Sequence, residues 1–171
     1  MKVLLINASP RSNGNTALAL REMEKVFAEQ GIETALLHIG SRDIRGCIAC
    51  GKCARLGRCV FDDAVNEAAP LFEEAAGIVA AGPVYYASAN GTLVSFMDRL
   101  FHSTPFDKTM KVGATVAVCR RGGPRPLSIR STSISPSPTC PWPPASTGTR
   151  CTVARPARRR RTLRVSRPCG C

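Results

Sequence analysis

Acidic residues are missing from positions 120–171 of this chain, and so is lysine, while the same stretch holds twelve arginines and nine of the thirteen prolines. Without acids or an apolar repeat, such a segment cannot build an amphipathic helix or a half-buried strand. Residues 1–119 carry twelve Lys and Arg against twelve Asp and Glu, so the net charge of +12 belongs to the back of the chain alone. That charge therefore says little about what the front binds. No apolar run approaches the length of a membrane span. The four-residue apolar run in "MKVLLINASP" is too short for a secretory signal, and a cytoplasmic protein is expected. In that compartment the nine cysteines are expected as thiols or metal ligands rather than disulfides. Neither GxGxxG nor GxxxxGK[ST] occurs, which argues against a Rossmann dinucleotide site and a Walker loop.

What is present in the front is alternation. "KVLLI" (2–6), "ETALLHI" (33–39), "GIVAAG" (77–82) and "KVGATVAVC" (111–119) read as strands, the unbroken apolar ones suited to a parallel sheet. Between them, "ALALREMEKVFAEQG" puts Leu20, Met23 and Phe27 on one helical face and ends at Gly31. A second helix is predicted over 64–75, capped by Asp62 or Asp63 and kinked by Pro70. A third, over 91–102, aligns Leu93, Phe96, Met97, Leu100 and Phe101. Strands alternating with helices give an α/β fold whose ligands sit beyond the carboxyl ends of the strands.

Two loops at that edge carry chemistry. "NASPRSNGNT" supplies hydroxyls from Ser9, Ser12 and Thr16, amides from Asn13 and Asn15, and the Arg11 fork at a helix start, a set suited to phosphate. A polar helix-capping loop is the plainer alternative. "GPVYYASANG" brings Pro83 and the only two tyrosines, Tyr85 and Tyr86, to the end of the third strand, where they can border a flat ring or merely cover the sheet. His102 reads as a solvated helix end and Cys119 as a buried strand end.

Between the loops, "CIACGKCARLGRC" spaces Cys47, Cys50, Cys53 and Cys59 as CxxCxxCx5C. Three thiolates at intervals of three can wrap one side of a [4Fe–4S] cluster and a fourth can close it. Structural zinc and a metal-free run of thiols remain open.

"INASPRSNGNT", the cysteine run and "GPVYYASANGTLVSFMDR", in that order, resemble the flavodoxin-like NAD(P)H-dependent FMN reductases, and within them the iron–sulfur flavoproteins and WrbA-type relatives. The resemblance covers residues 1–122. It implies a three-layer sandwich with sheet order 2-1-3-4-5 and FMN at the switch point. The phosphate would lie on Ser9, Arg11, Asn15 and Thr16, with Ser12 nearby. Pro83, Val84, Tyr85 and Tyr86 would border the ring, with Arg120 and Gly122 near its pyrimidine edge. It also implies NAD(P)H as donor, a small-molecule or ferredoxin-type redox partner and self-association; no membrane partner is expected, and nucleic acid is the disfavoured one. Many relatives carry lysine where this chain has Ser95.

A relative should continue with a fifth strand and a last helix, and residues 123–171 supply neither. Reread one base earlier, so that each codon's third base joins the first two of the next, codons 139–162 can spell MPVASSIYWNTVHGRAPGEAEAD with permitted wobble choices, a string with the YWN…HG pattern of the family's next segment. The stretch is therefore expected to be a frameshifted, disordered tail, with an Arg-rich nucleic-acid arm as the alternative. Loss of the fifth strand would leave the fourth as an exposed edge and weaken the flavin pocket, so weak FMN binding is expected of the chain as written. The function expected is FMN-dependent oxidoreduction or electron transfer, with a non-catalytic flavodoxin-like carrier as the alternative.

Overall fold

The computed structural model describes residues 1–86 and 88–119. Nine elements follow in chain order: β1 Lys2–Asn7, α1 Asn15–Glu29, β2 Glu33–His38, α2 Cys53–Leu56, α3 Ala64–Glu74, β3 Gly77–Tyr85, β4 Ser88–Ala89, α4 Gly91–Ser103 and β5 Val112–Val118. The long strands pair in parallel in the order β2-β1-β3-β5, with Leu5 between Leu36 and Val79, and Val79 beside Ala114. This is the flavodoxin-like order, with β5 as the fourth long strand. The expected four strands are thus all present. The added β4 is a two-residue strand antiparallel to the end of β3, pairing Val84 with Ala89 and Tyr85 with Ser88. It was not legible because two residues carry no periodicity.

Alternation along the buried strands splits the core into two layers. Leu4, Ile6, Ile78 and Ala80 face α3 and α4, packing with Val65, Phe72, Leu93, Phe96 and Leu100. Leu5, Val79, Ala81 and Val116 face α1 through Ala19 and Leu20, with Met23 and Phe27 at the margin. Gly31, with φ of 67°, ends α1 in the left-handed conformation that an α-carbon without a side chain adopts freely. Asp63 caps α3 by accepting from the Val65 N–H at 3.0 Å, and α3 runs on through Pro70. Among the described residues β5 pairs only with β3, and Val112 is largely exposed. No described helix is long and apolar enough to cross a membrane. The expectations at Arg120 and Gly122, and for the tail at 123–171, lie outside the described residues.

Candidate functional site

The turn from β1 into α1 is fixed by its own polar groups. Asn7 Oδ1 accepts the Ser9 N–H at 3.0 Å, and Ser9 Oγ accepts the Arg11 N–H at 3.2 Å. The Arg11 carbonyl accepts from Gly14 at 3.1 Å, and Gly14 opens α1. Ser9 and Thr16 are buried, whereas Arg11, Ser12 and Asn15 are exposed. Three contacts missed in the sequence hold this turn to the sheet. His38 Nε2 lies 2.8 Å from the Ser9 carbonyl, Asn90 Nδ2 donates to the Ala8 carbonyl at 2.8 Å, and Gly40 packs directly against the Ser9 backbone.

A cleft of about 420 Å³ opens beside this turn. One wall is Ser9, Arg11, Asn15 and Thr16 and the other is Pro83, Val84 and Tyr85, so seven of the residues singled out in the two loops meet there. Val118 and Cys119 complete it, and Cys119, expected to be buried, is instead half-buried at the cleft. Ser12 is not part of the lining, and Tyr86 stands fully exposed at the tip of the β3–β4 hairpin, with φ of 51°. The donor set, a guanidinium, hydroxyls and a helix start, fits an anionic phosphate, and the volume lies within the usual range for a cofactor-sized ligand.

The cysteine run makes a second, smaller cavity against the second half of α4. Cys47, Cys50, Cys53 and Cys59 all line it, with Arg99 and His102. Left-handed residues at Ala49, Gly51 and Gly57 let the chain coil round it. Among the described residues no three His, Cys, Asp or Glu side chains converge as they would around a single metal ion. The thiols themselves suit iron or zinc. His102 is exposed as expected, in the last turn of α4.

Arg99 is the largest fully buried side chain of the described residues, and nothing in its local sequence beyond its place on α4 marks it out. It pairs with Asp63 at 2.6 Å and points Nε and Nη2 at Cys59 Sγ, at 3.3 and 3.2 Å. Burial alone would lower its pKa, but hydrogen bonds and charge from Asp63 and Cys59 outweigh that and hold it raised.

Sheet order and the position of the large cleft define an α/β protein of flavodoxin-like topology with an anion-suited site at its switch point. The chain belongs to the family described as NADPH-dependent FMN reductase, whose model matches residues 1–128. It is 40% identical over 129 residues to an iron–sulfur flavoprotein of Methanocaldococcus jannaschii, covering 72% of this chain and 65% of that protein. An iron–sulfur flavoprotein of Methanosarcina thermophila is 34% identical over 127 residues, with 72% and 66% covered. The matched part thus spans about two thirds of these relatives' length. Among solved structures, RosB with a bound 8-demethyl-8-formylriboflavin-5'-phosphate intermediate shares the fold, with a TM-score of 0.66 at 17% identity, covering 92% of this chain and 66% of that one.

Proposed function

We propose that this chain is an FMN-dependent oxidoreductase of the cytoplasm, taking electrons from NAD(P)H or exchanging them with a small-molecule or ferredoxin-type partner, and working as a homo-oligomer. The observation that carries this reading is the cleft in which Ser9, Arg11, Asn15 and Thr16 face Pro83, Val84 and Tyr85. FMN has an anionic phosphate at one end and a flat aromatic ring system with apolar faces at the other, and the two walls suit those ends. Bound there, FMN supplies the hydride and one-electron chemistry. The protein binds and orients it: Arg11 and the start of α1 neutralise the phosphate, and Pro83 to Tyr85 exclude water from one side of the ring.

The four cysteines that line the smaller cavity, Cys47, Cys50, Cys53 and Cys59, are read as the ligands of a [4Fe–4S] cluster in preference to zinc, on their CxxCxxCx5C spacing. The similarity to iron–sulfur flavoproteins supports the same reading. Residues 1–122 then form the flavin domain and 123–171 a frameshifted tail, a reading supported by the sudden loss of acids and lysine after residue 119.

The test is an FMN titration followed by flavin fluorescence, on the chain as written and on the product of a gene with one base restored near codon 120. Tight one-to-one binding and NAD(P)H oxidation are expected of the restored protein, and weak binding of the chain as written. Failure of the restored protein to bind would refute the FMN reading. Equal tight binding by both would refute the frameshift. Bound flavin without NAD(P)H oxidation would favour the carrier.

A further inference from the structure

We propose that Arg99 is the positioning residue of the cysteine site: it fixes Cys59 as the closing ligand and, through two N–H···S hydrogen bonds, raises the reduction potential of the group bound there. The proposal rests on the reading of the four cysteines as a cluster site. The guanidinium uses two edges at once. Nη1 and Nη2 grip the Asp63 carboxylate at 2.6 and 3.0 Å, while Nε and Nη2 face Cys59 Sγ at 3.3 and 3.2 Å. Nη1 also donates to the Arg45 carbonyl at 3.2 Å, and the Phe61 ring lies 5.0 Å from the guanidinium carbon. With the side chain 1% exposed, the fork cannot turn away from the sulfur.

A buried arginine needs one carboxylate to offset its charge, and Asp63 is that partner. The sulfur-facing edge is additional. A neutral thiol is a weak acceptor and a poor match for two charged donors, but a metal-bound thiolate is a strong one. Among the described residues Cys47, by contrast, takes a longer contact from the Ala49 backbone N–H, at 3.4 Å. Adding an electron to a cluster raises the negative charge on its sulfurs, so donors aimed at one sulfur favour the reduced form. Asp63 cancels the net charge of Arg99, which leaves the hydrogen bonds as the main effect. Lysine could balance Asp63 but could not present a second planar edge to Cys59.

The test uses the full chain, purified without oxygen and reconstituted with ferrous iron and sulfide, then titrated with dithionite in the presence of redox dyes. Iron and labile sulfide content are measured alongside the midpoint potential. Arg99→Lys keeps the charge and loses the fork, and its potential is expected to move to a more negative value. Asp63→Asn keeps an acceptor for the Val65 cap but leaves the guanidinium charge unbalanced, and its potential is expected to move to a less negative value. A residue that merely packs would leave the potential alone or shift both variants the same way, and either result overturns the proposal. If Arg99→Lys fails to fold, Asp63→Asn decides: an upward shift supports the proposal, and no shift or a downward one overturns it. A loaded chain whose variants do not shift overturns the role of Arg99 alone. An unaltered chain that takes up no iron overturns it together with the cluster reading.

Discussion

Replacing Gly40 with alanine should damage the cleft although Gly40 is not itself part of its lining. The new Cβ would fall 1.9 Å from the Ser9 carbonyl oxygen, 2.2 Å from its carbon and 2.7 Å from the Pro10 nitrogen. Ordinary contact begins near ~3.5 Å, so roughly 1.6 Å must be opened between two stretches of backbone. Neither side can rotate away as a side chain would. The Ser9 end is also tied down, by His38 at its carbonyl, by Asn7 at its N–H and by Asn90 at the preceding carbonyl. Overpacking that side chains can absorb costs about 1–3 kcal/mol, and a backbone clash of this depth belongs at about 3 kcal/mol or above.

The displaced Ser9–Arg11 turn would also misplace donors for the phosphate. Loss of one hydrogen bond to a charged group is worth about 1.5–3 kcal/mol, or roughly a 10- to 150-fold weaker FMN affinity. Urea unfolding and an FMN titration measure the two effects. Gly91→Ala is the control, since nothing lies within 4 Å of its new Cβ. A Gly40→Ala protein that matched Gly91→Ala in both assays would refute the reasoning.

Three further outcomes follow from single contacts. Arg11→Gln should weaken FMN binding roughly 10- to 150-fold and leave riboflavin binding unchanged, because only the phosphate is lost; equal losses for both ligands would contradict the assignment of Arg11. Asn90→Asp turns the donor to the buried Ala8 carbonyl into an acceptor and should cost about 3 kcal/mol or more in urea unfolding. Asn90→Ala should cost less, since it also removes Oδ1, a buried oxygen with no partner. Pro70→Ala should raise the unfolding midpoint, as an exposed interior proline costs a helix about 3 kcal/mol, of which about 1 kcal/mol is returned by its stiffening of the unfolded chain.

The parallel sheet was legible because its buried strands are short continuous apolar runs, and α1 and α4 because their apolar residues recur at helical spacing. The cleft was legible for a related reason. In an α/β fold the loops after β1 and β3 must meet at one edge, so reading strand ends was enough to bring Arg11 and Tyr85 together. What stayed hidden depends on distance across the fold. Gly40 looks like any turn glycine until the Ser9 backbone is placed against it. Arg99 sits among polar and apolar neighbours on a helix, where an arginine ordinarily reaches solvent, and only the fold shows that Asp63 and Cys59 wait on its buried side. Asn90 stands at the N-cap of α4, yet its side chain makes no cap bond and crosses to the end of β1 instead.

These last two residues stand at the N-cap of α4 and within it, and that gives the helix a function neither has alone. Asn90 precedes its first turn and holds the phosphate-loop end of β1, while Arg99 holds the cysteine run nine positions later. At 1.5 Å per residue the two attachments are separated by about 13 Å along the helix. Leu93, Phe96, Met97 and Leu100 bury the intervening face in the larger core, so the helix cannot slide or turn to vary that spacing. The flavin wall and the cysteine cavity are thus referred to one rigid rod. A substitution at Asn90 should therefore disturb FMN affinity while leaving the cysteine site intact, and one at Arg99 should do the reverse. A variant at either end that impaired both sites equally while the core stayed folded would show that the rod does not isolate them.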